Sequence, residues 1–198
     1  MNKLLLIVSL LMLFSFTTAD NKDDRKDAIN YFKETRRDLA KEISGLTEAQ
    51  LNWQPADSVW SIAACVEHIA ISEKNLFDWA MSTLKEPANA ARRSELKADD
   101  EGVKKMITDR SFKVKTTETF KPTGQFGNVE GSYKAFNERR TALINYMDQT
   151  QDDLRNHFAT TPMGLLDIYQ LLIFLSGHTK RHTMQIAAVK AMPGFPGR

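Results

Sequence analysis

Two of the four histidines in this chain, His178 and His182, stand four residues apart within Ser176-Gly177-His178-Thr179-Lys180-Arg181-His182. Neutral imidazole is the commonest protein ligand for metals. Side chains at i and i+4 of a helix lie about 6 Å apart on one face, so the pair can grip one ion from one side. Two ligands make half a site. His68, in Glu67-His68-Ile69, is the natural third ligand. Three neutral imidazoles suit zinc, nickel or ferrous iron, with solvent filling the open positions. Water at such a position is acidified towards neutrality and becomes a nucleophile, or is displaced by a thiolate. The plainer reading is three buried histidines, each hydrogen-bonded to its surroundings. A spaced pair plus a third, in a chain with four histidines in all, favours the metal. The zincin motif is not present, because no glutamate follows His178, and peptidase chemistry of that type has no support.

Other reactive residues have weaker claims. His157 falls at the expected end of a helix, where an imidazole interacts with the helix C-terminus, and is given no metal role. Cys65, three residues before His68, is read as packing. Arg140 interrupts an apolar stripe, and its guanidinium either snorkels outward or anchors an anionic substrate group from inside. Glu67 and Glu73 are near His68 in sequence, on faces that spacing does not fix.

These residues need rigid elements to bring them together. Ile168, Leu171, Leu175, His178, His182, Ile186 and Val189 recur at spacings of three or four, which marks one helix face and places both histidines on it. A first helix is expected over residues 22 to 43, with Ile29, Phe32, Leu39 and Ile43 inward and Gly45 closing it. Residues 46 to 59 read as a loop carrying Trp53. Ser61 is a good N-cap for a second helix reaching about Leu84, with the seam Ile62, Cys65, Ile69, Ser72, Leu76 and Trp79. Pro87 stops it. A short helix fits Asp99 to Thr108. Residues 111 to 131 hold Lys-Pro-Thr-Gly and several threonines and read as a long crossover. The third helix starts at Gly131 or Ser132, carries Tyr133, Phe136, Arg140, Leu143 and Met147, and runs to about His157. Pro162 and Gly164 then turn the chain into the fourth helix. No strand pattern of useful length appears. The expected fold is all-α, a four-helix bundle with a long crossover between helices two and three, and bundle interiors commonly house metal sites.

The first nineteen residues read as a secretory signal peptide: Lys3, an apolar run from Leu4 to Phe16, then Thr17-Thr18-Ala19. The run is shorter than the ~20 residues a membrane span needs. Cleavage near Ala19 leaves residues 20–198 as one domain, exported to the periplasm or secreted, with no membrane anchor. Without Lys3 the chain has 26 basic and 25 acidic residues, a balance that gives nucleic acid no electrostatic hold. The single cysteine can form no internal disulfide, so stability must come from the core.

Leu51-Asn52-Trp53-Gln54-Pro55, Trp60-Ser61-Ile62-Ala63 and Glu67-His68-Ile69 together resemble the DinB-like superfamily. So do Phe120-Lys121-Pro122-Thr123-Gly124, Phe136 with Arg140, Gly177-His178 through His182-Thr183-Met184-Gln185-Ile186, and the tail Met192-Pro193-Gly194-Phe195-Pro196. The resemblance covers nearly all of the chain after the leader. It implies a four-helix bundle whose divalent metal is held by one histidine on helix two and two on helix four, at His68, His178 and His182. It also implies a choice of chemistries, since the family includes transferases of small thiols such as bacillithiol and mycothiol, and members described as metal-dependent hydrolases. Small thiols are chiefly cytosolic, so an exported member is expected to be a hydrolase acting through metal-bound water. The alternatives are a metal-dependent thiol S-transferase, a non-catalytic metal-binding module, and a helical binding protein with structural histidines. The expected partners are a small-molecule substrate and, at most, a second copy of the chain as a homodimer.

Overall fold

Amphipathic periodicity folds as expected into four long helices in the computed structural model, which describes residues 19–111 and 115–197. The leader expected over residues 1–19 lies, apart from Ala19, outside them. Helix α1 spans Ala19–Ile43, and Gly45, at φ +70°, supplies the left-handed turn that ends it. The connector expected to be all loop contains a short helix, α2, over Glu48–Asn52. Thr47 and Gln50 cap it reciprocally, a capping box that stabilises even five residues. Ser61 caps α3, Ile62–Thr83, as expected, by accepting from the Ala64 amide. Asp99 caps α4, Asp100–Thr108. The third long helix, α5, spans Val129–Gln149, with Asn128 as its cap. It begins two residues before the expected Gly131 and stops well short of His157.

The segment after α5 forms a hairpin instead of helix. Strand β1, Phe158–Thr161, pairs antiparallel with β2, Gly164–Asp167. Pro162 and Gly164 therefore shape a strand-to-strand turn, not a direct entry to the last helix. Four-residue strands are too short to show alternation against the background of a helical chain. Asp167 ends β2 and caps the last long helix, α6, Ile168–Lys190, in a capping box with Gln170. Among the described residues no helix is long and apolar enough to cross a membrane.

In the bundle α1 packs on α5 and α6, and α3 packs on the same two helices. Thr35 meets Ser176 and Glu42 meets Lys190, so α1 and α6 run parallel. Phe136 joins the apolar cluster of Cys65 and Ile69, whereas Leu143 and Met147 join that of Leu76 and Ala80, so α3 and α5 are also parallel. Parallel neighbours about 32 Å long cannot be joined by a tight turn. The chain between them must return the whole length of the bundle, and α4 and the crossover do so.

A buried polar band divides the core into two clusters. Arg140 is fully buried and forms a bidentate pair with Glu73, at 2.6 and 2.9 Å. It also donates to Thr35 Oγ1 at 2.6 Å, Thr179 Oγ1 at 2.9 Å and the Phe32 carbonyl at 2.9 Å. Each helix contributes to this layer, with one apolar cluster above and the other below it. Breaking such a pair by removing one partner costs roughly 3–5 kcal/mol, since it strands a buried charge. The two readings offered for Arg140, snorkelling outward or holding a substrate anion, are both replaced: it is committed to Glu73 and to three hydroxyls and a carbonyl of the bundle.

Candidate metal centre

His68 is placed by α3, and His178 and His182 by successive turns of α6. The first two elements meet because α3 and α6 pack along their length. The three imidazoles converge. His178 Nε2 lies 3.2 Å from His68 Nε2 and 3.2 Å from His182 Nε2. Zinc–nitrogen bonds of 2.0–2.1 Å at tetrahedral angles put neighbouring donor atoms about 3.3 Å apart. The spacing therefore matches ligands around one ion, and one donor atom from each of the three residues lies within 4.8 Å of the other two.

The far side of two of the rings is already bonded. His68 Nδ1 is 2.7 Å from the Phe120 carbonyl, which can only accept, so Nδ1 carries the proton and Nε2 keeps its lone pair. His182 Nδ1 is 2.9 Å from Gln185 Oε1, which fixes the same tautomer. His178 Nε2 can donate one proton to one of these two acceptors, leaving the other facing it unsatisfied. A cation in the centre satisfies all three lone pairs at once, and the donor set therefore fits a divalent ion.

Electrostatics keep the donors uncharged. Burial holds the His68 imidazole below its ordinary pKa, with the Phe120 carbonyl opposing it. Burial, then the neighbouring His182 and His68, hold His178 well below the usual range. His182 is lowered to about 3 by burial and then by His68. Trp60 covers one side, its ring 4.8 Å from that of His68 and 6.2 Å from that of His182, stacked on the latter. His178 is half-buried, whereas His68 and His182 are buried.

The carboxylates near His68 in sequence have other duties. Glu73 belongs to the Arg140 pair. Glu67 Oε1 accepts from the amides of Thr123, at 3.1 Å, and Gln125, at 2.9 Å, and so ties the crossover to α3. Cys65 is buried and lies outside the cluster, its thiol pushed up to about 12 by burial. His157 also lies apart, in the segment before β1 and not at a helix end, with Nδ1 2.7 Å from the Asp153 carbonyl. Trp53, on the connector before α3, meets Phe195 edge-on at 5.5 Å and holds the C-terminal tail. Two features escaped sequence reasoning. Gln185 was detectable, three residues after His182 on the same helix. The Phe120 carbonyl was not, because a backbone acceptor leaves no mark in the sequence.

The profile of the DinB superfamily matches residues 31–186, which include all three histidines and all four long helices in whole or part. The chain belongs to the DinB superfamily. Uncharacterized protein YuaE of Bacillus subtilis (strain 168) is 25% identical over 165 residues, covering 82% of this chain and 96% of YuaE. The structure of YfiT from Bacillus subtilis aligns over 88% of this chain and 90% of its own, at 16% identity and a TM-score of 0.59. YfiT is described as a probable metal-dependent hydrolase with an unusual four-helix bundle topology. At that identity the likeness establishes a shared fold.

Proposed function

We propose that this DinB-superfamily chain is a metal-dependent hydrolase whose divalent ion is held by Nε2 of His68, His178 and His182. The observation that carries the reading is the convergence of three Nε2 atoms while Nδ1 of two rings is committed to protein acceptors. The description of YfiT as a probable metal-dependent hydrolase supports it. When bound, the ion supplies Lewis acidity and acidifies water at an open coordination position.

The chain's own residues do the rest. Phe120 and Gln185 orient two of the imidazoles and raise their basicity as ligands. Three neutral donors leave the charge of the ion uncompensated, which favours an anionic species next to it. Trp60 presents an apolar face to two of the rings and keeps water off that side. Glu67 fixes the crossover beside His68. Because both ligand-bearing elements are long helices, exchange at the open side need not disturb the ligands.

We place the activity outside the cytoplasm on the strength of Lys3, the apolar run to Phe16 and Thr17-Thr18-Ala19. Intact-mass measurement of protein from its host should show a chain starting near Asp20. A species starting at Met1 defeats that placement and brings small-thiol transfer forward.

The central test is metal analysis of protein purified without a chelating tag, repeated on His182→Ala. The variant should lose tight metal binding and turnover while its circular dichroism stays helical. Metal-loaded protein is then screened against esters, amides, lactones and electrophile–thiol pairs. Turnover of thiol pairs alone makes it a transferase, and failure of every class leaves a non-catalytic metal-binding module.

A further inference from the structure

Among the described residues, two buried side-chain polar atoms have no hydrogen-bond partner, Ser72 Oγ and Asn156 Oδ1. Asn156 still bonds Asp153 through its Nδ2, at 2.8 Å. The Ser72 hydroxyl, on a residue 1% exposed in the middle of α3, bonds no other group. A hydroxyl inside a helix commonly donates to the carbonyl four residues back. Thr83, Ser132 and Thr183 do so in this chain. For Ser72 that carbonyl belongs to His68, and the bond is not made. Burying a hydroxyl without a partner costs free energy, and such a group marks a place where a ligand atom completes the bonding.

Ser72 stands beside the candidate metal centre. Side chains four apart on a helix lie one above the other on one face, so Ser72 is one turn from His68. The apolar clusters join Ile62 and Cys65 to Ile186 and Val189, and Leu76 to Leu171 and Leu172, so α3 and α6 run antiparallel. Arg140 Nη2 donates to Glu73 Oε2 and to Thr179 Oγ1, both at 2.9 Å, which sets residues 73 and 179 at one height. Ser72 and His178 immediately precede them. Trp60, ahead of α3, stacks on His182. Ser72 lies beyond His68 in the other direction, towards His178. The crossover runs along this stretch of α3. Its Phe120 carbonyl meets His68 Nδ1 at 2.7 Å, its Thr119 carbonyl accepts from Asn75 Nδ2 at 3.1 Å, and Ser72 falls between the two anchors. The cluster of donors contains no carboxylate, and Glu67 and Glu73 are bound elsewhere. An oxygen ligand that joins three imidazoles around an ion brings protons and lone pairs of its own, and these need partners. The Ser72 hydroxyl has a donor and lone pairs unused.

We propose that Ser72 is a positioning residue of this centre, its hydroxyl the hydrogen-bond partner of the water or substrate oxygen that takes the open position beside the three imidazoles. This rests on the metal reading of the histidines and not on hydrolysis. The test compares the full wild-type chain with Ser72→Ala, metal-free and zinc-loaded, by urea unfolding and by competition titration of zinc against a chelator. Without metal, Ser72→Ala should be at least as stable as wild type, because it removes a buried hydroxyl that has no partner. With zinc the order should reverse, and zinc affinity should fall about fivefold, the effect of one hydrogen bond. The visible absorption of the cobalt(II)-substituted chain should also change with the variant, as a ligand oxygen loses its support. A variant less stable to the same extent with and without zinc has lost an ordinary structural hydroxyl, which overturns the proposal. Unchanged zinc affinity with an unchanged cobalt spectrum overturns it as well. Failure of wild type to take up zinc or cobalt defeats the metal reading and this role together, whereas equal uptake by both proteins at equal affinity defeats the role of Ser72 alone.

Discussion

The chemistry of this site depends on where two protons sit. His68 and His182 each place a proton on Nδ1 because a carbonyl-type oxygen faces that nitrogen, at 2.7 and 2.9 Å. Nε2 is therefore the bare nitrogen on both rings and points at His178. The two supports differ in how they can be removed. Phe120 acts through its backbone and survives any side-chain change. Gln185 acts through its amide oxygen and does not. Gln185→Ala frees the His182 ring to rotate and to change tautomer. Zinc affinity should fall roughly 10- to 100-fold, the usual effect of deleting such an orienting partner. Competition titration against a chromogenic chelator measures it, and an unchanged affinity would show that packing alone orients His182.

Among the elements, α6 carries the most. Its beginning depends on Asp167, whose Oδ1 accepts the Gln170 amide at 2.7 Å and whose Oδ2 is 3.2 Å from Arg155. Burial raises this carboxyl to about 6, against the opposing pull of Arg155. An unfolded aspartate titrates near 3.9. Between those values the folded chain holds a proton that the unfolded chain has lost, so this group's contribution to stability falls as pH rises from about 4 to about 6. Asp167→Asn keeps a capping oxygen and removes the titration. Urea midpoints of the two proteins, followed from pH 4 to pH 7, should therefore diverge in that window in favour of the variant. Parallel curves would refute the shift.

The middle of α6 is set by Gly177, which allows Ile107 of α4 to approach the helix backbone. Alanine is the better helix former by about 1 kcal/mol, yet here its methyl meets a β-branched side chain with little rotamer freedom. Gly177→Ala should cost a net of about 1–2 kcal/mol, since overpacking outweighs propensity. Adding Ile107→Ala to it should recover the propensity gain, an interaction that a double-mutant cycle in urea reads directly.

At the scale of the whole molecule, the three histidines join α3 to α6 on one side of the polar band made by Arg140 and Glu73. The band fixes the axial register of all four helices, because a fully buried charge pair has one arrangement in which every donor finds its acceptor. An ion between α3 and α6 adds a second link that exists only in the folded state. Zinc at about 1,000 times its dissociation constant should stabilise the wild type by about 4 kcal/mol. The melting temperature of His182→Ala should respond far less to zinc. Equal responses of the two proteins would place the zinc elsewhere.

The sequence by itself determined the class of fold and the shared face of His178 and His182. Both were legible because they depend on helical period. Ile168 through Val189 repeat at three and four, and His178 and His182 fall on that repeat, so their common face followed from backbone geometry alone. The same logic found Ser61 as a cap, since capping is a local contact. Tertiary structure decided what local rules cannot reach. The hairpin at 158–167 is held by cross-strand bonds over four-residue strands, too short to announce themselves. The role of Arg140 depends on Glu73, 67 residues away, and its position on an apolar stripe fitted an outward tip, a substrate anchor and a buried ion pair alike. Glu67 and Glu73 were neighbours of His68 in sequence, but one faces the crossover and the other the band. Which residues stand around the triad, Trp60 and Phe120 among them, was decided only when distant segments closed over it. Periodicity fixes the face on which a side chain stands, and packing fixes what stands opposite.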